Sequence, residues 1–185
     1  CRLLKVCSIP NLESIVMPRI LFIASQPFFE WRGSPIRLGF DLLALSQLGY
    51  TVDFLTLPLG APREIPNVTI IRAPNLLMAR RISIGPSLTK LAFDFILFWM
   101  GLWRVVRHRY AVVHGVEDCG LIAWCLARVG GARFIFERHS DPASHRRGWC
   151  RNLVMRAYAG VERFVMRRAD AIIGTGPGLV AHAQE

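Results

Sequence analysis

A chain of 185 residues has room for one domain with a sizeable core and is short for two. At 52% hydrophobic and 19% charged, it is neither a disordered segment nor a charged tail. Lys and Arg total 23 against 13 Asp and Glu, and the resulting +10 points to an anionic partner: nucleic acid, an anionic membrane surface or a phosphorylated ligand.

The chain opens with Cys1, and Met17 stands directly before the first apolar run. Residues 1–16 are therefore expected to lie outside the domain, which takes in residues 17–185. They lack a continuous apolar stretch and a small-residue exit, so no secretory signal is expected. Residues 19–25 are a short run rich in Ile, Leu and Phe, of strand length. A turn-rich segment with Pro27, Gly33 and Pro35 follows. Ile36, Leu38, Leu42, Leu45 and Leu48 then recur at helical spacing until Gly49. A buried strand, a loop with glycine and a helix N-terminus facing that loop form the phosphate- and sugar-facing corner of many open α/β sheets.

Residues 51–57 and 68–72 read as the second and third strands, joined by a proline-rich linker. Gly85-Pro86-Ser87 opens a long helix from Leu88 to about His108, with Ser87 as its N-cap. Residues 110–114 are a fourth strand, 119–129 a helix stopped by Gly130-Gly131, and 132–137 a fifth strand. Residues 149–168 form a basic helix, and 171–174 a sixth strand. Strands alternating with helices give an α/β domain, a doubly wound, mostly parallel sheet with helices on both faces.

Residues 91–106 are nearly as apolar as a membrane span, but Asp94 interrupts them and they fall short of the roughly 20 residues a span needs. A core helix is the first reading. A membrane-surface helix, with Phe95, Phe98, Trp99 and Trp103 against lipid and Arg104, Arg107 and Arg109 at the headgroups, is the second. Arg146, Arg147, Arg151, Arg156, Arg163, Arg167 and Arg168 are either a solvated helix face or an attraction for anionic lipid or a phosphorylated acceptor. No helix-turn-helix, zinc module or RNA-binding signature accompanies the charge, so nucleic acid is not expected. The five cysteines form no CxxC pair and have no histidine at zinc spacing, so no metal site is expected and the thiols are taken as reduced, in a cytoplasmic protein.

Ligands of an open parallel sheet bind beyond the carboxyl ends of its strands. The loops there hold Gly33 and Ser34 after the first strand, and His114, Glu117 and Asp118 after the fourth. His139 and Asp141 follow the fifth, and Gly174 to Gly178 the sixth. The strands are expected to be almost free of such residues. Gly33 lets a phosphate or sugar approach backbone amides, or is an ordinary turn glycine. Glu117 and Asp118 bind hydroxyls or cap the following helix. His114 is a site residue or a structural one. His139, between Arg138 and Ser140-Asp141, is placed to hydrogen-bond a sugar hydroxyl or steady a developing charge. The glycine-rich GTGPG lacks the Gly-Lys-Ser/Thr ending of a P-loop. No GxGxxG follows the first strand, and Asp53 lies inside the second strand rather than at its tip, so no dinucleotide cofactor is expected.

Three stretches, PRILFIASQPFFEWRGSPIR, YAVVHGVEDCGLIAWCLARVGGARFIFERHSD and VERFVMRRADAIIGTGPGLV, together make the sequence resemble the N-terminal domain of retaining GT-B glycosyltransferases of family four. The resemblance implies a Rossmann-like acceptor-binding half of a two-domain GT-B enzyme. Such an enzyme moves a sugar from a nucleotide-sugar donor to a carbohydrate or lipid-linked acceptor with retention of configuration, and usually without a metal or other cofactor. It places Gly33 and Ser34 near the donor diphosphate and acceptor, His139 on the transferred sugar as the catalytic residue, and Glu117 and Asp118 in an acceptor-facing loop. Arg32-Gly33-Ser34 has one glycine where many relatives have two, and Gly174-Thr175-Gly176 stands where a serine is usual. The donor-binding C-terminal domain of the family is absent from these residues, so the chain is expected to be one piece of a longer enzyme and inactive alone. A peripheral position on the inner face of the cell membrane would suit a lipid-linked acceptor. The alternative is a non-enzymatic Rossmann-like module that binds an anionic ligand or membrane surface.

Overall fold

The computed structural model describes residues 18–28, 33–76, 78–79, 88–139 and 149–174. The elements in chain order are β1 (Arg19–Ala24), α1 (Gly33–Gln47), β2 (Thr51–Thr56), β3 (Val68–Arg72) and α2 (Leu88–Arg107). β4 (Val112–Val116) leads through a 3₁₀ turn (Glu117–Cys119) into α3 (Gly120–Gly130), and β5 (Arg133–Arg138), α4 (Trp149–Met166) and β6 (Ala171–Gly174) follow. All strand pairs are parallel, in the order β3-β2-β1-β4-β5-β6. This is the expected doubly wound, Rossmann-like α/β sheet. Its strand order reverses between β1 and β4, and the crevice beyond their carboxyl ends is where such sheets bind ligands.

The two faces are covered by different helices. Ile20, Phe22, Ala24, Val52 and Phe54 pack against Leu38 and Leu42 of α1. Leu21, Ile23 and Leu55 pack against Phe93 and Leu97 of α2, Ala123 and Leu126 of α3, and Val165 of α4. This two-sided cover explains why five of the six residues in both β1 and β2 are buried and why neither strand alternates. Close packing is permitted by small residues. A Cβ on Gly101 would come within 2.3 Å of Leu126 Cδ1, so glycine lets α2 and α3 cross at short range. Where α3 ends, Gly131 takes the left-handed conformation (φ 64°) and its N–H bonds Ala127 O, the C-cap signalled by the paired glycines.

Most boundaries fall within two residues of expectation, and those of β3 and β6 coincide with it. The two-residue shift of β4 is the one that matters. This strand runs from Val112 to Val116, so His114 stands mid-strand rather than closing it. Ser87 and residues 175–178 lie outside the described residues, as do residues 1–16. Cys119 and Cys125 are free thiols, and burial pushes the Cys119 thiol well above its usual value.

At the amino-terminal edge of the sheet, Asp53 of β2 is fully buried and is held by Arg19 (3.0 Å), Arg104 (3.1 Å) and the Tyr110 hydroxyl. The knot joins β1, β2, α2 and the start of β4. It is far from the strand tips, and its partners make it a clasp of the fold.

Candidate active site

Phe22, His114 and Ile135 are register partners across β1, β4 and β5. Side chains alternate along a strand, so Glu137 and His139 point to the same side as Ile135, the side covered by α1. There the structure assembles a polar cluster. Glu137, 1% exposed, accepts from Arg37 Nε at 3.0 Å and lies 2.8 Å from His139 Nε2 and 3.0 Å from His114 Nε2. Phe22 stacks on the His114 ring at 4.1 Å. Burial alone would raise the Glu137 pKa, but hydrogen bonding to the two imidazoles and their charge hold the carboxyl well below its usual range. Asp41, one helical turn beyond Arg37, is pushed the other way, by burial and by the charge of Glu137.

Arg37 stands one turn inside α1, about 6 Å along the axis from Gly33. Gly33 and Ser34 are the first two residues of that helix, so their amides belong to its unpaired N-terminus. A Cβ on Gly33 would meet nothing within 4 Å. Among the described residues the helix start is therefore open on that side, as a site for an approaching ligand requires.

Glu117 and Asp118 sit on the other side of the crevice, in the 3₁₀ turn after β4. Gln26 Nε2 donates to Glu117 Oε2 at 2.8 Å, and the Gln26 carbonyl accepts from Thr56 Oγ1 at 2.7 Å. The β1 and β4 loops are thereby tied together at the point where strand order reverses. Glu117 holds φ +48°, a left-handed backbone unusual for a residue with a side chain. Strain of this kind persists where the surroundings impose it, and it clusters at functional sites. Asp118 accepts hydrogen bonds from Lys90 of α2 and Tyr158 of α4, so it braces the helices on the opposite face from His139. A cavity of about 30 Å³, room for about one water, lies beside it against Tyr158 and Glu162. Glu162 in turn takes Arg138 Nε at 2.7 Å, which anchors the end of β5 to α4.

The expected residues thus fall into two groups. His114 and His139 come together, Gly33 and Ser34 open α1 one turn above their cluster, and Glu117 and Asp118 belong to the second group. Asp141 lies outside the described residues. Glu137 and Arg37 join the first group; in the sequence Glu137 is one of the residues that follow the fifth strand, without a role of its own, and Arg37 is not singled out. The strands are also less bare than expected: β4 carries His114 and Gly115, and β5 carries Glu137 and Arg138. Among the described residues no group of three or more His, Cys, Asp or Glu side chains is arranged to hold a metal ion. At Glu137 the guanidinium of Arg37 occupies the carboxylate that a cation would need.

The chain is similar in structure to sucrose-phosphate synthase from Thermosynechococcus elongatus, with a TM-score of 0.62 at 18% identity over 90% of this chain. It spans 44% of that protein's length. A second, shorter structure of the same synthase matches with a TM-score of 0.60 at 17% identity, over 90% of this chain and 81% of the other. No curated protein matches the chain by sequence. The model of the glycosyl transferase 4-like domain matches residues 42–185, which take in β2 through β6 together with His114, Glu117, Asp118, Glu137 and His139. The chain belongs to the glycosyl transferase 4-like domain family.

Proposed function

We propose that this domain forms the acceptor side of a cleft in which a glycosyl group passes from a nucleotide-sugar donor to a carbohydrate or lipid-linked acceptor with retention of configuration. The observation that carries the proposal is the Glu137–His139 pair at the carboxyl tip of β5, with Arg37 and His114 closing on the same carboxylate. An ionised, immobilised carboxylate accepts the Nε2–H proton of His139, which fixes the rotation and tautomer of the ring. Held in this way, the imidazole is fixed at the strand tip, where it can meet a sugar hydroxyl or charge developing during transfer. Gly33 and Ser34 offer helix N-terminal amides to the donor phosphates or to the acceptor, and Glu117 offers a carboxylate to acceptor hydroxyls. Asp118 acts through position, by keeping the 3₁₀ turn in place.

On this reading, His139 is the catalytic residue and Glu137 the positioning residue behind it. No metal or organic cofactor takes part. The donor-binding wall comes from a second domain of the same protein, so residues 1–185 alone turn over no donor. The decisive experiment measures nucleoside diphosphate release from a panel of nucleotide sugars by the whole gene product and by its His139→Ala variant. Release that drops at least ~100-fold in the variant, with an unchanged circular dichroism spectrum, supports the proposal. A whole gene product that binds an anionic ligand and turns over no donor would leave a binding module instead.

A further inference from the structure

Helix α2 is apolar on its outer side as well as at the centre of its inner one. Phe93, Leu97, Gly101 and Val105 face the core, while Leu91, Phe95, Trp99, Trp103 and Val106 are 54–70% exposed on the outer side. The first four of these recur every four residues, so they form one continuous ridge about 18 Å long. Phe95 and Phe98 both meet Trp99 edge-to-face, at 6.0 and 5.7 Å between ring centroids. Apolar side chains of this size are normally buried, and among the described residues only the inner side of α2 is covered. Among the described residues no helix is long and apolar enough to cross a membrane.

The charge around the ridge says what covers it. Because every strand is parallel, the carboxyl ends of α2, α3 and α4 all arrive at the amino-terminal edge of the sheet. Arg107, Arg109, Arg128, Arg163, Arg167 and Arg168 stand exposed there. Arg107 lies over the Trp103 ring at 4.1 Å, so the basic rim begins where the aromatic ridge ends. Asp94 and Glu162 are the carboxylates on α2–α4 among the described residues. Both are half-buried and face inward, Asp94 toward Ser25 and Lys90, Glu162 toward Arg138. Asp170, exposed at the rim, accepts the Phe134 N–H. A ridge one helix wide is narrow for a stable dimer, which buries about 800 Å² per partner. An aromatic ridge bordered by arginines with no exposed carboxylate on those helices matches the headgroup region of an anionic bilayer.

We propose that α2 lies in the surface of an anionic membrane, with Phe95, Trp99 and Trp103 at the boundary of the acyl chains and Arg107, Arg109 and Arg128 on lipid phosphates. The proposal does not depend on sugar transfer. Where both hold, the amino end of α2 sits at the same edge of the sheet as the candidate site, which brings that site close to the bilayer.

The test is co-sedimentation of the intact chain with vesicles of phosphatidylcholine, with or without phosphatidylglycerol. Binding is expected with the anionic vesicles alone, to weaken with salt, and to shift tryptophan emission to the blue. Arg107→Gln and Arg109→Gln should each weaken it about 5-fold. Phe95→Ser with Trp99→Ser should weaken it at least ~10-fold at an unchanged melting temperature, since both side chains are exposed. Equal binding to neutral vesicles, no binding to anionic ones, or wild-type binding by either set of variants overturns the proposal. So does a dimer in sedimentation analysis that Trp99→Ser dissociates, which would place a second copy on the ridge.

Discussion

His139 Nε2 lies 2.8 Å from Glu137 Oε1, on a carboxylate that also receives Arg37 and His114. Glu137 is thus the hub of three cationic or proton-donating groups contributed by α1, β4 and the tip of β5. Removing one partner of such a buried set leaves the others without their counter-charge. Glu137→Ala should cost about 3–5 kcal/mol, whereas Arg37→Ala, with a guanidinium 39% exposed, should cost about 1 kcal/mol or less. In a domain of this size the first change lowers the melting temperature by about 10 °C. Because the folded-state pKa of Glu137 is depressed, its contribution is full at neutral pH. It declines as the pH falls below the ordinary carboxylate range. Equal, small effects of the two variants in thermal melts would show that Glu137 is not the hub.

Gly33 and Gly115 separate a functional glycine from a packing one. A Cβ on Gly115 would meet Ala123 Cβ at 2.5 Å and Cys119 O at 2.9 Å, neither of which is the end of a flexible side chain. Gly115→Ala should therefore push α3 off β4 and destabilise by about 1–3 kcal/mol. Gly33→Ala meets nothing and should leave the melting temperature within about 1 °C, or raise it through helix propensity. If a donor phosphate or acceptor approaches the α1 amides, Gly33→Ala should nonetheless raise the KM of the whole enzyme several-fold. An unaltered KM would reduce Gly33 to the first residue of a helix with no part in binding.

Why the fold was legible and the hub was not follows from how far apart the partners lie. Six apolar runs bounded by glycine and proline define the strands, and Gly131 marks the end of α3 through its own backbone requirement. His139 stood out because it follows a strand among polar neighbours. Glu137 closes the apolar ARFIFE, where it reads as a strand end. Arg37 reads as an ordinary position on the surface of α1. The two are 100 residues apart in sequence, and only the placement of β1 beside β4 and β5 brings them into contact. Asp118 was misleading for the same reason. It looks like a loop carboxylate open to hydroxyls, yet Lys90 and Tyr158 reach it from helices on either side of α3 in the chain.

Asp53 should prove structural. Its carboxylate is fully buried and carries Arg19, Arg104 and Tyr110 together. Tyr110→Phe removes one hydrogen bond to a charged acceptor and should cost about 1.5–3 kcal/mol. Asp53→Ala leaves two guanidiniums facing each other and should cost about 3–5 kcal/mol. Neither should alter KM in the whole enzyme at a temperature where the variants remain folded, because the knot lies at the opposite edge of the sheet from His139. A changed KM with intact stability would mean that this edge communicates with the site.

Asp94 gives a pH dependence of the opposite sign to Glu137. Burial pushes its pKa up to about 6 from an ordinary 3.8, against the opposing pull of Ser25 and Lys90. The folded state therefore holds a proton that the unfolded state has lost between those two values, and stability falls as the pH rises through that window. Above about pH 6 the full cost of the half-buried carboxylate is in place, about 2 kcal/mol after allowance for its partial exposure. Asp94→Asn keeps the shape of the side chain without its charge, and Lys90 keeps Asp118. The variant should melt about 4–8 °C higher than the wild type at pH 7.5 and nearly level with it at pH 4. Melting temperatures recorded from pH 4 to 7.5 decide the point: the two curves should diverge between about pH 4 and 6 and then run parallel. Curves parallel throughout would mean that Asp94 is ionised in both states, and that its inward position costs the fold nothing.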